Sequence, residues 1–416
     1  MFHIHCRREL CMLKLNLITS IEKMIFLKRI VFIIFFFAIA QNINAHEGHD
    51  HGQPLAVSLA LDGQHHLLRV SVQNGFVIFD KAKNTVPLEF NSKLRINHQA
   101  QKIGTDGDAR PKIAVANNGN IYITWTQHLP SPYTGYIWFA RSTDGGKSFS
   151  KPIIVHHDQA EITHRFDAIT VTASGRIYVA WVDKRDLIVA KKSGQAYDGA
   201  AIYYAVSDDH GLSFSHERKV ADNSCECCRI AMIADDQGNA VMMWRHLFEQ
   251  GVRDHAIASI SPEQDSHQIH RASFANWKID ACPHHGPAIA KGGDWGYHMA
   301  WFDGGENTGL FYARMDGNAW VSSPAKRFGD ASKQAGHPAL LSNGEDVWLA
   351  WKERSDNASQ IKLAKSNDGG RSWSDPITLA QTNDKSDYPQ LLIKDSQVYL
   401  AWNTQADCLV WIKVGQ

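Results

Sequence analysis

Residues 55–416 read as an all-β chain, a β-propeller of four-stranded blades in seven repeats. Two recurring patterns predict it. Ile-Thr-Trp125, Val-Ala-Trp181, Met-Met-Trp244, Met-Ala-Trp301, Leu-Ala-Trp351 and Leu-Ala-Trp402 each end a strand-like apolar stretch, 50 to 63 residues apart. A period of that size with several short strands per unit is a propeller signature. The second pattern is an octapeptide in three near-copies: Ser142 to Phe149 (STDGGKSF), Ser207 to Phe214 (SDDHGLSF) and Ser366 to Trp373 (SNDGGRSW). Each sits between two short alternating runs, where a hairpin should turn.

The elements follow in order. In one repeat, Lys112 to Val115 forms an inner strand and Ile121 to Trp125 the Trp-ending strand. Tyr136 to Arg141 runs into the octapeptide, and Ser150 to Val155 leaves it. In the turn, Asp144, Asp209 and Asp368 can fold their carboxylates onto backbone amides, and Gly145, Gly146, Gly211, Gly369 and Gly370 supply positive φ. The closing aromatic is expected to bury itself under the hairpin. Residues 55–97 form an earlier, degenerate unit with Leu67 to Val72, Phe76 to Phe79 and Val86 to Ile96. The last unit reaches the end of the sequence without a fourth strand. Six blades is the alternative, with the first segment closing the final blade. No helical period of useful length is visible after residue 54, and thirteen Trp with thirty Gly fit many packed hairpins.

The octapeptide resembles the Asp box (BNR repeat) of the sialidase-like β-propellers, and the resemblance covers most of the chain after residue 54. Sialidases have six blades, so seven repeats depart from that family. The resemblance implies a glycoside hydrolase of the exo-alpha-sialidase type. It would use a Tyr nucleophile raised by a Glu, an Asp acid/base, and three Arg clasping the sugar carboxylate.

The first 45 residues read as an N-terminal extension plus signal peptide, with Met24 as the natural start. Lys28-Arg29 lead into Ile30 to Ala40, an eleven-residue apolar run, and Ile43-Asn44-Ala45 offers a cleavage site. The run is too short for a comfortable span, so no stable membrane span is expected after cleavage. Residues 46–54 are a His-rich tail and 55–416 the propeller. Formal charge is zero over the whole chain. Removing residues 1–45 takes away six basic and two acidic side chains and leaves −4. Without a basic stripe, nucleic acid is not an expected partner. A periplasmic or secreted product is.

Export makes disulfides the default for the five remaining cysteines, Cys225, Cys227, Cys228, Cys282 and Cys408. The expected arrangement sets the Cys225 to Cys228 segment against Cys282, with at least one bridge. In a propeller, loops entering the inner strands and loops following the Trp-ending strands share one face, and the octapeptide turns lie on the other. All five cysteines map to the first face. So do Asp108, Arg110, His164, Arg165, Asp167, Arg229, His337 and Tyr388 at inner-strand mouths. Asp183, Arg185, Arg245, His246 and His255 come from neighbouring loops.

Three functions compete for this face. As a sialidase, Tyr388 would be the nucleophile and Asp183 or Asp167 the acid. Arg110, Arg165 and Arg229 would bind the anion, with His164 and His246 as further ligand contacts. The family's Arg-Ile-Pro signature is absent: the chain offers Arg110-Pro-Lys and Cys228-Arg229-Ile. No Glu is an obvious partner for Tyr388. A metal-handling protein would bind copper or zinc through His46, His49 and His51, or through Cys225, Cys227, Cys228, Cys282, His284 and His285. Disulfides among those cysteines are the competing arrangement. A binding propeller would hold an anionic glycan or a protein at the mouth without being a fully competent sialidase.

Overall fold

The computed structural model describes residues 54–415, apart from 86–87, 91–92, 227–228, 280–283 and 356. The leader and the His46, His49 and His51 tract lie outside the described residues, as do Cys227, Cys228 and Cys282. No helix of the described residues is long and apolar enough to cross a membrane.

Seven antiparallel sheets follow one another along the chain. The first pairs β1 (Ser58–Leu61), β2 (Leu67–Gln73), β3 (Phe76–Thr85) and β4 (Leu88–Phe90), with β5 (Leu94–Arg95) added on β3. The second holds β6 (Lys112–Val115), β7 (Ile121–His128), β8 (Gly135–Ser142) and β9 (Ile153–Ile154). The third holds β10 (His164–Val171), β11 (Ile177–Asp183), β12 (Ala200–Ser207) and β13 (Arg218–Ser224). The fourth runs through β14 (Ala231–Ala234), β15 (Ala240–Arg245), β16 (His255–Ile260) and β17 (His270–Arg271). The fifth runs through β18 (Ala288–Lys291), β19 (Gly296–Asp303), β20 (Gly309–Asp316) and β21 (Lys326–Phe328). The sixth comprises β22 (Gly336–Asn343), β23 (Asp346–Ser355), β24 (Ala358–Ser366) and β25 (Ile377–Thr382). The seventh has three strands, β26 (Gln390–Lys394), β27 (Gln397–Thr404) and β28 (Cys408–Lys413). The inner strands β1, β6, β10, β14, β18, β22 and β26 contact one another in sequence, and β26 returns to β1. The ring closes at seven. The segment 55–97 is a blade of its own, and its inner strand β1 is the element that periodicity did not reveal.

Apolar clusters fill the interfaces between blades, one per interface. Trp125, Trp181, Trp244, Trp301, Trp351 and Trp402 each stand in a different cluster and are at most 2% exposed. A side chain of that size removes roughly 150–250 Å² from water. Five of the indole N–H groups find an acceptor: Gln101, Asp183, Ser224, Glu353 and the Asp387 carbonyl. Only the interface between the last blade and the first lacks a tryptophan of this series; Val57, Leu67, Ala82, Ala401 and Leu409 pack there.

The octapeptides form one repeated turn at the outer end of β8, β12 and β24. In each, the first Ser Oγ donates to the Asp carboxylate at 2.7 Å. The amides of the sixth and seventh residues donate to the same carboxylate at 2.8–3.1 Å, and the second Ser hydroxyl donates at 2.5–2.6 Å. The closing aromatic is half-buried rather than tucked under its own hairpin. It lies against a ring of the preceding blade: Phe149 on Phe79 at 5.0 Å, Phe214 on Phe139 at 4.9 Å, Trp373 on Tyr312 at 4.7 Å. Gly146, at φ 87°, shows why glycine is required: a Cβ there would stand 2.6 Å from Phe79. The turn is thus a clasp between blades as well as a bend.

One helix departs from the all-β expectation. Helix α1 (Arg185–Ser193) joins β11 to β12, buries Leu187 and Ala190, and stops at Gly194 in the left-handed region. Two buried residues make too short an apolar stripe to register as a period. Tyr203 donates to Asp186 at 2.9 Å and fastens the helix to its blade.

Hydrogen bonds from Ser148, then the turn amides, hold the Asp144 carboxyl at about 2. Burial pushes Asp209 up, but Ser213 and Ser207 outweigh it, and Ser372 depresses Asp368. A depressed folded value adds stability above the unfolded value of about 4, and that stability is lost as pH falls through the folded value. Replacing all three by Asn is expected to lower the melting temperature at pH 5–8. The gap to the wild type should narrow as pH falls toward 2, which a thermal-melt series in pH checks.

Candidate functional site

The register of the inner strands fixes which residues face one another around the axis. Lys112, Ala168, Ala231, Ala288, Ala339 and Gln390 each pair with the residue just before the Trp position or its Met equivalent in the second strand. Two residues earlier in the sequence stand Arg110, Phe166, Arg229, Gly286, His337 and Tyr388. Arg165, expected to match Arg110 and Arg229, lies one position before the equivalent site, which Phe166 occupies. The physical cause is a β-bulge: three steps on β10 oppose two on β11 between Arg165 and Ala168. A matching bulge lies between Gly336 and Ala339 on β22. Phe166 and His337 sit in the left-handed region, at φ 60° and 55°. Both bulges re-aim a ring at the mouth.

Each ring serves as a platform. The guanidinium groups of Arg165 and Arg229 lie over Phe166 at 4.7 and 4.8 Å. Tyr388 stacks on His337 at 3.4 Å and 7°, and His285 lies on the same imidazole at 4.3 Å. Gly107 permits the Tyr388 placement, since a Cβ there would come within 2.2 Å of the phenol ring. Below lies a cavity of about 300 Å³, lined by Asp108, Arg110, Lys112, His337, Tyr388 and the apolar Ile230, among others.

The charges divide into spent and unspent groups. Arg110 is 6% exposed, donates to the Val57 carbonyl at 2.7 Å and to Asp387 at 2.5 Å, and its Nε donates to the Gly107 carbonyl. Arg229 bonds Asp106 at 2.8 Å and lies 3.2 Å from the His284 Nδ1. Asp387 and Asp106 are the carboxylates that make these short pairs. Arg165, half-buried, has neither an ion pair nor a hydrogen bond to its Nε among the described residues. Burial lowers its pKa, the charge of Asp106 opposes that, and the charge of Arg229 adds to it. Burial, then the charge of Arg110, lowers Lys112 to about 8, and burial lowers Lys352 to about 8. Burial raises Asp108, but the His337 hydrogen bond and charge outweigh it and leave the carboxyl well below its usual range.

The remaining predicted residues make the following contacts. Asp183 is fully buried, accepts from Trp181 at 2.9 Å and from both edges of Arg185, and lies 3.6 Å from His164 Nε2. His164 is buried, donates from Nδ1 to the Gly135 carbonyl at 3.1 Å, and stacks on His156 at 3.9 Å. Burial lowers its pKa. Asp167 accepts from Thr126 at 2.8 Å, and burial raises it. His246 packs on Phe248 at 4.8 Å and is lowered to about 4 by burial. Arg245 donates to the Arg253 and Phe302 carbonyls, and His255 is fully buried. His284 and His285 diverge, one toward Arg229 and the other between Phe302 and His337. Cys225 is buried and accepts from Arg253 at 3.3 Å; Cys408 is an exposed free thiol. The bridge and metal expectations for Cys227, Cys228 and Cys282 lie outside the described residues.

Reading the residues did not single out Asp106, Lys112, Lys352 or the platform Phe166. One signal was available for Lys112. Aligned on the tryptophans, four of its equivalents are alanine, so a lysine there is out of place unless it faces a charge.

Breaking a buried ion pair from one side costs about 3–5 kcal/mol. Arg110→Met should therefore lower stability by that order, whereas Arg165→Met should change it by less than about 1 kcal/mol. Urea unfolding of the two variants distinguishes a latch from an unspent charge.

No protein-family model matches the sequence, and comparison with curated proteins finds no match. Solved structures do match. An ulvan lyase of polysaccharide lyase family PL25, bound to -[GlcA(1-4)Rha3S]-, superposes with a TM-score of 0.53 at 13% identity, covering 87% of this chain and 92% of that one. The Hadza microbial sialidase Hz136 superposes with a TM-score of 0.50 at 16% identity, covering 82% and 74%. The chain thus shares the β-propeller fold of these two enzymes, here with seven blades closed in a ring.

Proposed function

We propose that the protein is an exported propeller that binds an anionic saccharide, carboxylated or sulfated, at its axial mouth. The observation that carries this reading is Arg165, whose guanidinium lies over the Phe166 ring at 4.7 Å with no ion pair among the described residues. An arginine without an ion pair among the described residues leaves positive charge at the opening, and its bidentate donors suit a carboxylate or sulfate. Tyr133, 65% exposed beside Arg165, offers a face for a sugar ring. The lyase with the same fold was solved with an anionic saccharide, which supports the ligand class.

The same geometry argues against complete sialidase chemistry. A three-arginine clasp needs three free forks, and the Arg110 fork is committed to Val57 and Asp387. A tyrosine nucleophile needs its phenol activated. Burial, followed by the charges of Asp108 and Asp387, instead raises Tyr388. Among the described residues no glutamate lines the cavity.

Titration with a uronate-containing or sulfated oligosaccharide tests the reading. Wild type should bind, more weakly as salt rises, and should ignore the neutral analogue. Arg165→Ala should weaken binding by about 1.5–3 kcal/mol, the range for a hydrogen bond to a charged group. Affinity should also fall as pH passes 8, where Lys112 and Lys352 lose their charge. Unchanged affinity in Arg165→Ala would remove the anion site. Turnover of a fluorogenic sialoside that Tyr388→Phe abolishes would restore the sialidase reading.

A further inference from the structure

We propose that His157, His216 and Glu217 form a binding site for a divalent transition-metal cation of the Zn2+ type, on the flank between the second and third blades. The three residues offer one ligand atom each, all within 4.8 Å of one another. They come from two places in the chain. His157 lies in the connection from β9 to β10, and His216-Glu217 immediately precede β13. The site stands apart from the axial mouth, and its residues are distinct from the His and Cys clusters singled out in the sequence.

The carboxylate is the best-prepared ligand. Glu217 has a side chain 7% exposed, and its Oε1 accepts from Arg185 Nη1 at 2.7 Å and from the Asp158 amide at 3.2 Å. Its Oε2 accepts from the His157 amide at 3.2 Å and lies 3.2 Å from the His157 Nδ1. Outer partners of this kind fix a ligand's orientation and tune metal affinity. Oε2 is the oxygen turned toward the imidazoles.

The two imidazoles supply the rest. Their rings stack at 4.1 Å and 29°, and the His157 side chain is 48% exposed. Donor atoms bound to one tetrahedral zinc at 2.0–2.2 Å stand roughly 3.4 Å apart. The rings must therefore swing so that their lone pairs converge, and their exposure leaves room for it. Two imidazoles and one carboxylate leave a fourth position for water, a ligand set that zinc commonly accepts. A metal held here would tie the end of the second blade to the outer strand of the third, across 60 residues of sequence.

The experiment uses chelator-treated full-length protein, titrated with zinc sulfate by calorimetry and followed by thermal melts. The wild type is expected to bind one equivalent more than a His157→Ala/His216→Ala variant, and zinc should raise the melting temperature of the wild type alone. Glu217→Gln, which keeps the shape of the side chain, should weaken that equivalent by roughly tenfold or more. Because the N-terminal histidines can also take metal, a His46→Ala/His49→Ala/His51→Ala variant is measured in parallel and should retain the equivalent and the zinc-dependent melt. Equal zinc stoichiometry and equal melting shifts in wild type and His157→Ala/His216→Ala would overturn the site. So would a wild type whose melt does not respond to zinc.

Discussion

A ring of blades must be closed, and this one is closed by side chains. Among the described residues no strand from one end of the chain completes a blade at the other; the last sheet has three strands and the first has its own inner strand. What joins them is a polar knot. Asp387 accepts from the Val57 amide and from Arg110, Arg110 also donates to the Val57 carbonyl, and Gln390 bonds both the Leu59 amide and the Val57 carbonyl. Asn403 reaches the Leu55 carbonyl at 2.7 Å. The apolar cluster beneath has only aliphatic fully buried members, without the tryptophan that fills every other interface. Hydrogen bonds thus reinforce this apolar seam, and one of the mouth arginines is consumed in them.

That expenditure shapes the mouth. Arginine and aspartate crowd its rim, but their value to a ligand depends on what each already touches. Arg110 faces inward to the seam. Arg229 is shared with Asp106. Arg165, displaced by one position through the β10 bulge, escapes the pairing pattern of the inner strands. The two bulges thus do more than bend strands. They place Phe166 and His337 as flat supports, one for cations and one for rings, on different sides of a single opening.

Among the described histidines, His156, His164, His255 and His298 are buried. His156 and His298 are lowered to about 4 by burial, His285 to about 3, and burial holds His255 well below its usual value. Each is neutral and serves as a flat polar ring: His298 against Tyr312, His156 against His164, His285 against Phe302. A count of histidines therefore says little about metal affinity here. Position decides: the pair at His157 and His216 keeps its rings at the surface beside a fixed carboxylate.

The sequence by itself determined the blades. Strand alternation, six tryptophans at a regular period and three Asp-containing turns are local features. Backbone geometry converts them directly into antiparallel sheets, because a period-2 pattern buries one face whatever lies around it. It also ordered the faces, since an antiparallel blade can only send its turns to alternate ends. The short inner strand β1 and helix α1 escaped, each having too few apolar residues for a period. Only the tertiary structure decided the site. Whether a bulge slips Arg165 off register depends on how β10 pairs with β11. Whether Arg110 meets a ligand or Asp387 depends on a contact across 277 residues. His157 and Glu217, 60 residues apart, meet because the outer edges of neighbouring blades touch. Such pairings are set by how blades pack around a closed ring, and no local pattern encodes them.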